Sequence, residues 1–177
     1  LRLRSIGSPS PSATVVMADP ELPRGPDGDL QLAPLPGARR EARAVAAALG
    51  LGARDVLEGA AASERALKRL LAEGTSVLHL ATHARADAAF PDRSAVFLSP
   101  GADGEDGWLQ PPEIAALQLG RALVVLSACE SAGGQRVAGE GVMSLARAFF
   151  AGGAGTVIAT RWPLRDDDAA FVMERFY

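Results

Sequence analysis

The chain has 177 residues, of which 48% are hydrophobic and 22% are charged, and its formal net charge is −3. This composition supplies the core of one globular domain and contains no run of 18 apolar residues, so we expect neither a membrane span nor a membrane partner. Because no cluster of lysine and arginine opposes the negative charge, we also expect no nucleic-acid partner.

The two ends of the chain predict a domain from a longer protein. Residues 1–12 are rich in serine and proline and are interpreted as a linker or edge extension, which leaves residues 13–177 as the folded domain. The chain starts at Leu1 and stops at Tyr177 inside an amphipathic pattern, so we expect truncation at both ends. Its single cysteine cannot form an internal disulfide, and no signal peptide is evident, which favours the cytoplasm.

Strand and helix patterns alternate in the N-terminal half. A short apolar strand comes first, and the loop after it is rich in proline and glycine. Apolar residues at helical spacing and a terminal glycine indicate the first helix, and a serine N-cap indicates the second. The predicted segments are a strand at 14–18, a loop at 19–37, a helix from Ala38 to Gly50, a strand at 55–58 and a helix from Ser63 to Gly74.

Two long apolar strands dominate the C-terminal half. A small hairpin lies between them, and a mobile glycine-rich loop follows the second one. The predicted segments are strands at 76–84 and 123–129, a hairpin from 95–98 and 108–109, a short helix at 111–115, the loop at 133–141, a helix at 142–149, a strand at 156–159 and a final helix from 166. This alternation predicts an α/β fold in which helices flank a mainly parallel sheet on both faces.

Cys129 and His83 stand at the ends of the two long strands, where each apolar run breaks into small residues. Open α/β sheets carry their chemistry at the carboxyl ends of parallel strands, so we expect both residues at one edge of the sheet. An imidazole that accepts the proton of a thiol turns cysteine into a nucleophile. The pair is a candidate catalytic dyad, and the alternative is a buried cysteine beside a surface histidine.

Other features of the sequence are weaker. His79 lies inside the same strand as His83, and we predict a core histidine with a hydrogen-bonded partner. On a strand the two histidines are about 13 Å apart, too far to share one ion, so we expect no metal and no cofactor. The segment at 139–141 resembles an anion cradle, but Glu140 would repel a phosphate, and an active-site loop is the better interpretation.

Five ordered motifs carry a family resemblance. They are Leu78-His-Leu-Ala-Thr-His83, Leu123-Val-Val-Leu-Ser-Ala-Cys-Glu130, Gly139-Glu-Gly-Val142, Leu145-Ala-Arg-Ala-Phe149 and Ala159-Thr-Arg-Trp162. Together they resemble the CHAT domain, a caspase-like branch of the clan that includes separases, from about Ala18 to Tyr177. The resemblance implies a caspase-like three-layer sandwich and peptide-bond hydrolysis through a thioester, with Cys129 as nucleophile and His83 as general base and acid.

The resemblance also implies an oxyanion hole made by the backbone amides of Ala84 and Cys129. The family usually has glycine after the histidine, and alanine resists a positive φ at a cost of about 1–2 kcal/mol if the geometry demands one. Residues expected in the substrate pocket or its loops are Asp87, Glu130, Glu140 and Trp162, and further acidic candidates for reading a basic P1 side chain are Asp92 and Asp166 to Asp168.

These features predict a cysteine endopeptidase domain from a larger bacterial protein, acting on a specific protein target. By resemblance, a regulatory repeat or sensor region in the same chain or a partner chain controls it. The alternative is a catalytically silent caspase-like scaffold or protein-binding module. Ala84 favours that alternative, whereas the presence of both His83 and Cys129 speaks against it.

Overall fold

The computed structural model describes residues 14–22, 32–87, 89–101, 104–130, 140–160 and 165–177, and at 129–130 and 140–142 it describes the backbone alone. The predicted linker at 1–12, most of the predicted glycine-rich loop and Trp162 therefore lie outside the described residues. None of the described helices is long and apolar enough to cross a membrane.

Strands and helices alternate along the described chain, as predicted. The strands are β1 (Thr14–Ala18), β2 (Val56–Glu58), β3 (Val77–Arg85), β4 (Ala95–Phe97), β5 (Trp108–Leu109), β6 (Leu123–Glu130) and β7 (Thr156–Ala159). The helices are α1 (Pro36–Leu49), α2 (Glu64–Ala72), α3 (Pro111–Ala116), α4 (Glu140–Ala151) and α5 (Asp166–Phe176). Glu140 was predicted in the loop before a helix, and the structure makes it the first residue of α4.

The helix boundaries follow local chemistry that the sequence carries. Ser63 caps α2, since its Oγ accepts a hydrogen bond from the Ala66 amide at 3.3 Å, which confirms the predicted N-cap. Gly50 ends α1 with a φ of 66°, a left-handed conformation that glycine adopts without steric penalty. These local signals explain why the helix ends could be predicted to within a few residues.

The described strands form one seven-stranded sheet. Five of them pair in parallel in the order β2, β1, β3, β6, β7. The last two residues of β3 also pair antiparallel with β4, which forms the predicted hairpin with β5. The prediction of an α/β fold with a mainly parallel sheet is confirmed, and β3 is the central strand of this sheet.

Each face of the sheet has its own apolar core, because successive side chains of a strand point to opposite faces. On one face, Leu78 and Leu80 of β3 pack with α2, α3 and α4. On the other face, Val16, Ala18 and Ala81 pack with α1, and Tyr177 at the end of α5 joins them. The result is three layers, with His79 and His83 on the side of α1 and α5.

Candidate active site

The register between β3 and β6 brings the predicted dyad together in the backbone. The two strands pair from Val77 opposite Leu123 to Ala84 opposite Glu130, and this register sets His83 opposite Cys129. Neighbouring strands are about 4.8 Å apart, and paired positions lie on the same face of a pleated sheet. Positions 83 and 129 are thus adjacent at the carboxyl edge of two parallel strands, as expected for chemistry in an open α/β sheet.

A backbone carbonyl orients the His83 imidazole. The side chain is buried, with 3% of its surface exposed, and Nε2 lies 2.8 Å from the carbonyl oxygen of Ala33. Because a carbonyl oxygen only accepts hydrogen bonds, Nε2 carries the hydrogen, and in the neutral ring Nδ1 holds the lone pair. Nδ1 is therefore the ring nitrogen that can accept a proton.

Burial also sets the charge of His83. It lowers the pKa of the imidazole below its ordinary value, against the opposing effects of the Ala33 carbonyl and of the nearby charges of Asp19 and Asp166. The ring is consequently neutral at pH 7, which is the state that a general base requires.

Asp19 fixes the segment that carries the Ala33 carbonyl. It follows β1 with a φ of 43°, and its Oδ1 accepts a hydrogen bond from the Leu35 amide at 2.8 Å. Its Oδ2 pairs with Nε of Arg39 in the first turns of α1 at 2.5 Å. A buried carboxylate at the end of a neighbouring strand thereby ties the residues around Ala33 to the sheet. Neither contact was predicted from the sequence.

The comparison with known families agrees with this architecture. The family model that matches the chain is the CHAT domain, and the match covers residues 1–177. The chain belongs to the CHAT domain family. No curated protein matches it. The CHAT domain is a caspase-like family, and the parallel sheet between two helical layers is consistent with a caspase-like fold.

Ala84 occupies an unstrained position in this CHAT domain. It lies within β3, opposite Val96 on one side and Glu130 on the other. Among the described residues other than glycine, only Asp19 and Arg121 have a positive φ, so Ala84 does not. Its methyl group is buried in the core shared with α4. Alanine at this position therefore does not carry the cost of a positive φ. The role of its amide in an oxyanion hole stays a prediction.

His79 is a core histidine, as predicted. It is fully buried, its Nε2 lies 2.8 Å from Oε1 of Glu41 in α1, and its Nδ1 lies 3.1 Å from the hydroxyl of Tyr177. Burial raises the pKa of that hydroxyl, and the charge of Glu41 adds to the effect. Glu41 was missed in the sequence, although its place between Ala38 and Ala42 on the buried stripe of the helix was a usable signal.

Two acidic candidates for the substrate pocket have partners within the CHAT domain. Asp166 accepts hydrogen bonds from the amides of Gly37 and Ala38 at the start of α1. Oδ1 of Asp87 accepts from the amides of Ala89 and Phe90. The Asp166 bonds join the starts of two helices, and the Asp87 bonds stay within its own loop.

The remaining pocket candidates are not brought together by the described structure. Asp92 is exposed, and Asp167 forms an exposed ion pair with Arg40. For Glu130 and Glu140 only the backbone is described, and Trp162 lies outside the described residues, so their roles stay predictions. In the described part of the chain, no three histidine, cysteine or acidic side chains cluster as metal ligands would.

Proposed function

We propose that this CHAT domain is a cysteine endopeptidase that cleaves a protein target with the dyad of His83 and Cys129. The observation that carries the proposal is the β3–β6 register, which sets these two residues opposite each other at the carboxyl edge of the sheet. The buried, neutral and oriented imidazole supports it, since a thiol needs such a base to react. Membership of a caspase-like family supports the same class of chemistry.

The proposed reaction passes through a thioester. Nδ1 of His83 takes the proton of the Cys129 thiol, and the thiolate adds to the carbonyl carbon of the scissile peptide bond. The imidazolium, whose Nε2–H is held by the Ala33 carbonyl, then gives its proton to the leaving amine as the C–N bond breaks. Water, deprotonated by the same nitrogen, hydrolyses the thioester and restores the thiol. The amides of Ala84 and Cys129 are the proposed donors to the oxyanion.

A labelling experiment tests this proposal. Peptide acyloxymethyl ketones that vary only at P1 should alkylate the wild-type protein at Cys129, as read by intact mass and peptide mapping. Cys129→Ala and His83→Ala should each abolish cleavage of a substrate found with the reactive peptides. The double variant should be no worse than either single one, because members of a catalytic unit are strongly non-additive.

The main alternative is a silent scaffold, and the same experiment separates the two. The scaffold alternative was favoured by Ala84, which replaces the usual glycine. Because Ala84 does not have a positive φ, its backbone is not strained, and this reason for a silent site no longer applies. A scaffold would show no peptide-dependent alkylation of Cys129, although iodoacetamide would still modify an accessible thiol. Unchanged partner binding in all variants, with no cleavage in any of them, would refute the peptidase.

A further inference from the structure

Arg85 is a partly buried cation for which the described residues provide no counter-ion. It is the last residue of β3, two positions after His83 and on the same face of the strand. Its Nη2 donates to the Arg93 carbonyl at 3.0 Å, while its Nε is buried and has no hydrogen-bond partner in the part of the chain that the structure describes. Among the described residues, no carboxylate lies within ion-pair distance of its guanidinium.

The surroundings of Arg85 hold its guanidinium in place without neutralising it. The guanidinium carbon lies 4.7 Å from the ring centre of Trp108, which is itself held edge-on by Phe97 at 4.7 Å. A second cation lies next to Arg85 in the fold. It is Arg93, whose guanidinium carbon lies 4.4 Å from the ring centre of Phe90. The nearest carboxylate along the chain, that of Asp87, accepts amide hydrogen bonds of its own loop.

The described surroundings of Arg85 contain no anion that pairs with it. Taking a charge out of water is unfavourable unless an opposite charge and hydrogen bonds replace the water. A guanidinium stacked on an aromatic ring keeps its plane fixed and can offer edge N–H groups to a planar acceptor, for which a carboxylate is the matching shape. An acidic side chain is therefore the ligand that completes the environment of Arg85.

We infer that Arg85 binds an acidic side chain of the peptide substrate, an inference that rests on the proposed peptidase function. Along β3, Arg85 is about 7 Å from His83, and Trp108 lies two strands beyond β3, about 10 Å away. An extended peptide advances about 3.3 Å per residue. The acidic residue therefore lies within about four residues of the scissile bond.

Matched peptides test the inference. A panel of tetrapeptide acyloxymethyl ketones carries glutamate or its neutral isostere glutamine at one of the positions P1 to P4. Rates of Cys129 alkylation are measured for the wild type and for Arg85→Gln, Arg85→Lys and Arg93→Gln. In a second arm, unreactive versions of the same peptides are bound to Cys129→Ala protein, with and without Arg85→Gln, by fluorescence anisotropy.

We expect glutamate to exceed glutamine at one position by about tenfold or more in both arms, since hydrogen bonds to charged groups are the strong ones. Arg85→Gln should remove this preference, and Arg85→Lys should keep part of it, because lysine keeps the charge without the planar fork. Arg93→Gln removes one positive charge from the residue next to Arg85 in the fold, and it should keep the preference for glutamate. Thermal melts verify folding, and the wild-type comparison of glutamate with glutamine needs no variant.

The outcomes distinguish the two hypotheses. Wild-type protein that is alkylated at Cys129 but treats glutamate and glutamine alike at every position would overturn the role of Arg85 and leave the peptidase standing. Loss of the preference in Arg93→Gln as large as in Arg85→Gln would also overturn it, since a general field would then be responsible. If Cys129 is never labelled but glutamate peptides still bind in an Arg85-dependent way, the peptidase fails and the acidic-peptide site remains.

Discussion

His83 is the residue whose environment most directly controls the proposed chemistry. Its pKa is lowered by burial, so in the folded state the ring resists protonation at a pH where the unfolded chain accepts a proton. The unfolded state therefore binds more protons below about pH 6.5, and stability falls as the pH drops through that value.

We predict that Cys129→Ala protein loses unfolding free energy between pH 7 and pH 5, and that His83→Asn in the same background loses less over that interval. Denaturant titrations at each pH measure the difference, and the cysteine is removed so that the titration of the imidazole is not coupled to that of the thiol. Identical pH dependence of the two proteins would contradict the assignment of a buried, neutral His83.

Ser127 is a second residue with an unusual environment at the site. It lies in β6 opposite Ala81, it is 6% exposed, and its Oγ has no hydrogen-bond partner among the described residues. An unsatisfied buried hydroxyl costs about 1–3 kcal/mol, so we predict that Ser127→Ala leaves the unfolding free energy unchanged or raises it by about 1 kcal/mol.

Ser99 provides the matched control for that prediction. Its buried Oγ donates to the Gly59 carbonyl and accepts from the Glu21 amide, both at 2.8 Å. Ser99→Ala should therefore lower the unfolding free energy by about 1–3 kcal/mol. Chemical denaturation compares the two variants, and a loss for Ser127→Ala as large as that for Ser99→Ala would show that Ser127 is satisfied in solution.

At the scale of elements, α5 completes the N-terminus of α1. The N-cap residue of α1, Leu35, has no side-chain hydrogen bond to offer, and the carboxylate of Asp166 accepts from the Gly37 and Ala38 amides instead. These are amides that no intrahelical carbonyl can satisfy. A residue at the start of one helix thereby acts as the cap of another.

We predict that Asp166→Ala lowers the unfolding free energy by about 1–2 kcal/mol, the usual cost of losing an N-cap. The adjacent Asp167 is the control, because its ion pair with Arg40 is exposed and Asp167→Ala should change stability by less than about 0.5 kcal/mol. Urea titration of both variants is the measurement, and equal losses would refute the cross-helix cap.

The elements themselves could be predicted because their signals are local. The aliphatic run of β6, the Ser63 cap and the glycine after α1 each act within a few residues of the element that they define. The interaction of Asp166 with α1 joins residues that are far apart in the sequence, and no local pattern distinguishes it from a solvated acidic side chain. The contact between the Ala33 carbonyl and His83 could not be predicted either, because every residue has a backbone carbonyl.

At the scale of the whole molecule, one buried polar network joins three elements on the α1 and α5 side. Glu41 of α1 meets His79 of β3, which also meets Tyr177 after α5. Glu41 and His79 are each about 99–100% buried, so each depends on the other for the hydrogen bonds that water would supply.

We predict that Glu41→Ala lowers the unfolding free energy by about 3–5 kcal/mol, because it leaves a buried histidine without its partner. Glu41→Gln should cost less, since its amide oxygen can still accept a hydrogen bond. Glu73 serves as the comparison, as its pair with Arg69 is exposed and Glu73→Ala should be nearly neutral. Denaturant unfolding decides, and similar costs for Glu41→Ala and Glu73→Ala would contradict the network.

The site could be predicted only as far as topology allows. Parallel strands that end in His83 and Cys129 were expected at one edge, and the register sets the two residues opposite each other. The sequence could not define that register. A shift of one residue would move every side chain of the strand to the opposite face of the sheet, and only the packing of the folded protein on both faces excludes such a shift. Arg85 was overlooked for a related reason, since the absence of a counter-ion among the described residues is a property of its surroundings in the fold.

The Ala33 carbonyl has a consequence for mutational scanning. A substitution at Ala33 keeps the oxygen that holds the imidazole, so the position would score as tolerant although its backbone orients the proposed base. Pro34 and Pro36 restrict the conformation of this segment, because proline fixes its own φ and limits the residue before it. A scan for lost activity would therefore report the two prolines, and the role of the carbonyl oxygen just before Pro34 would have to be inferred from them.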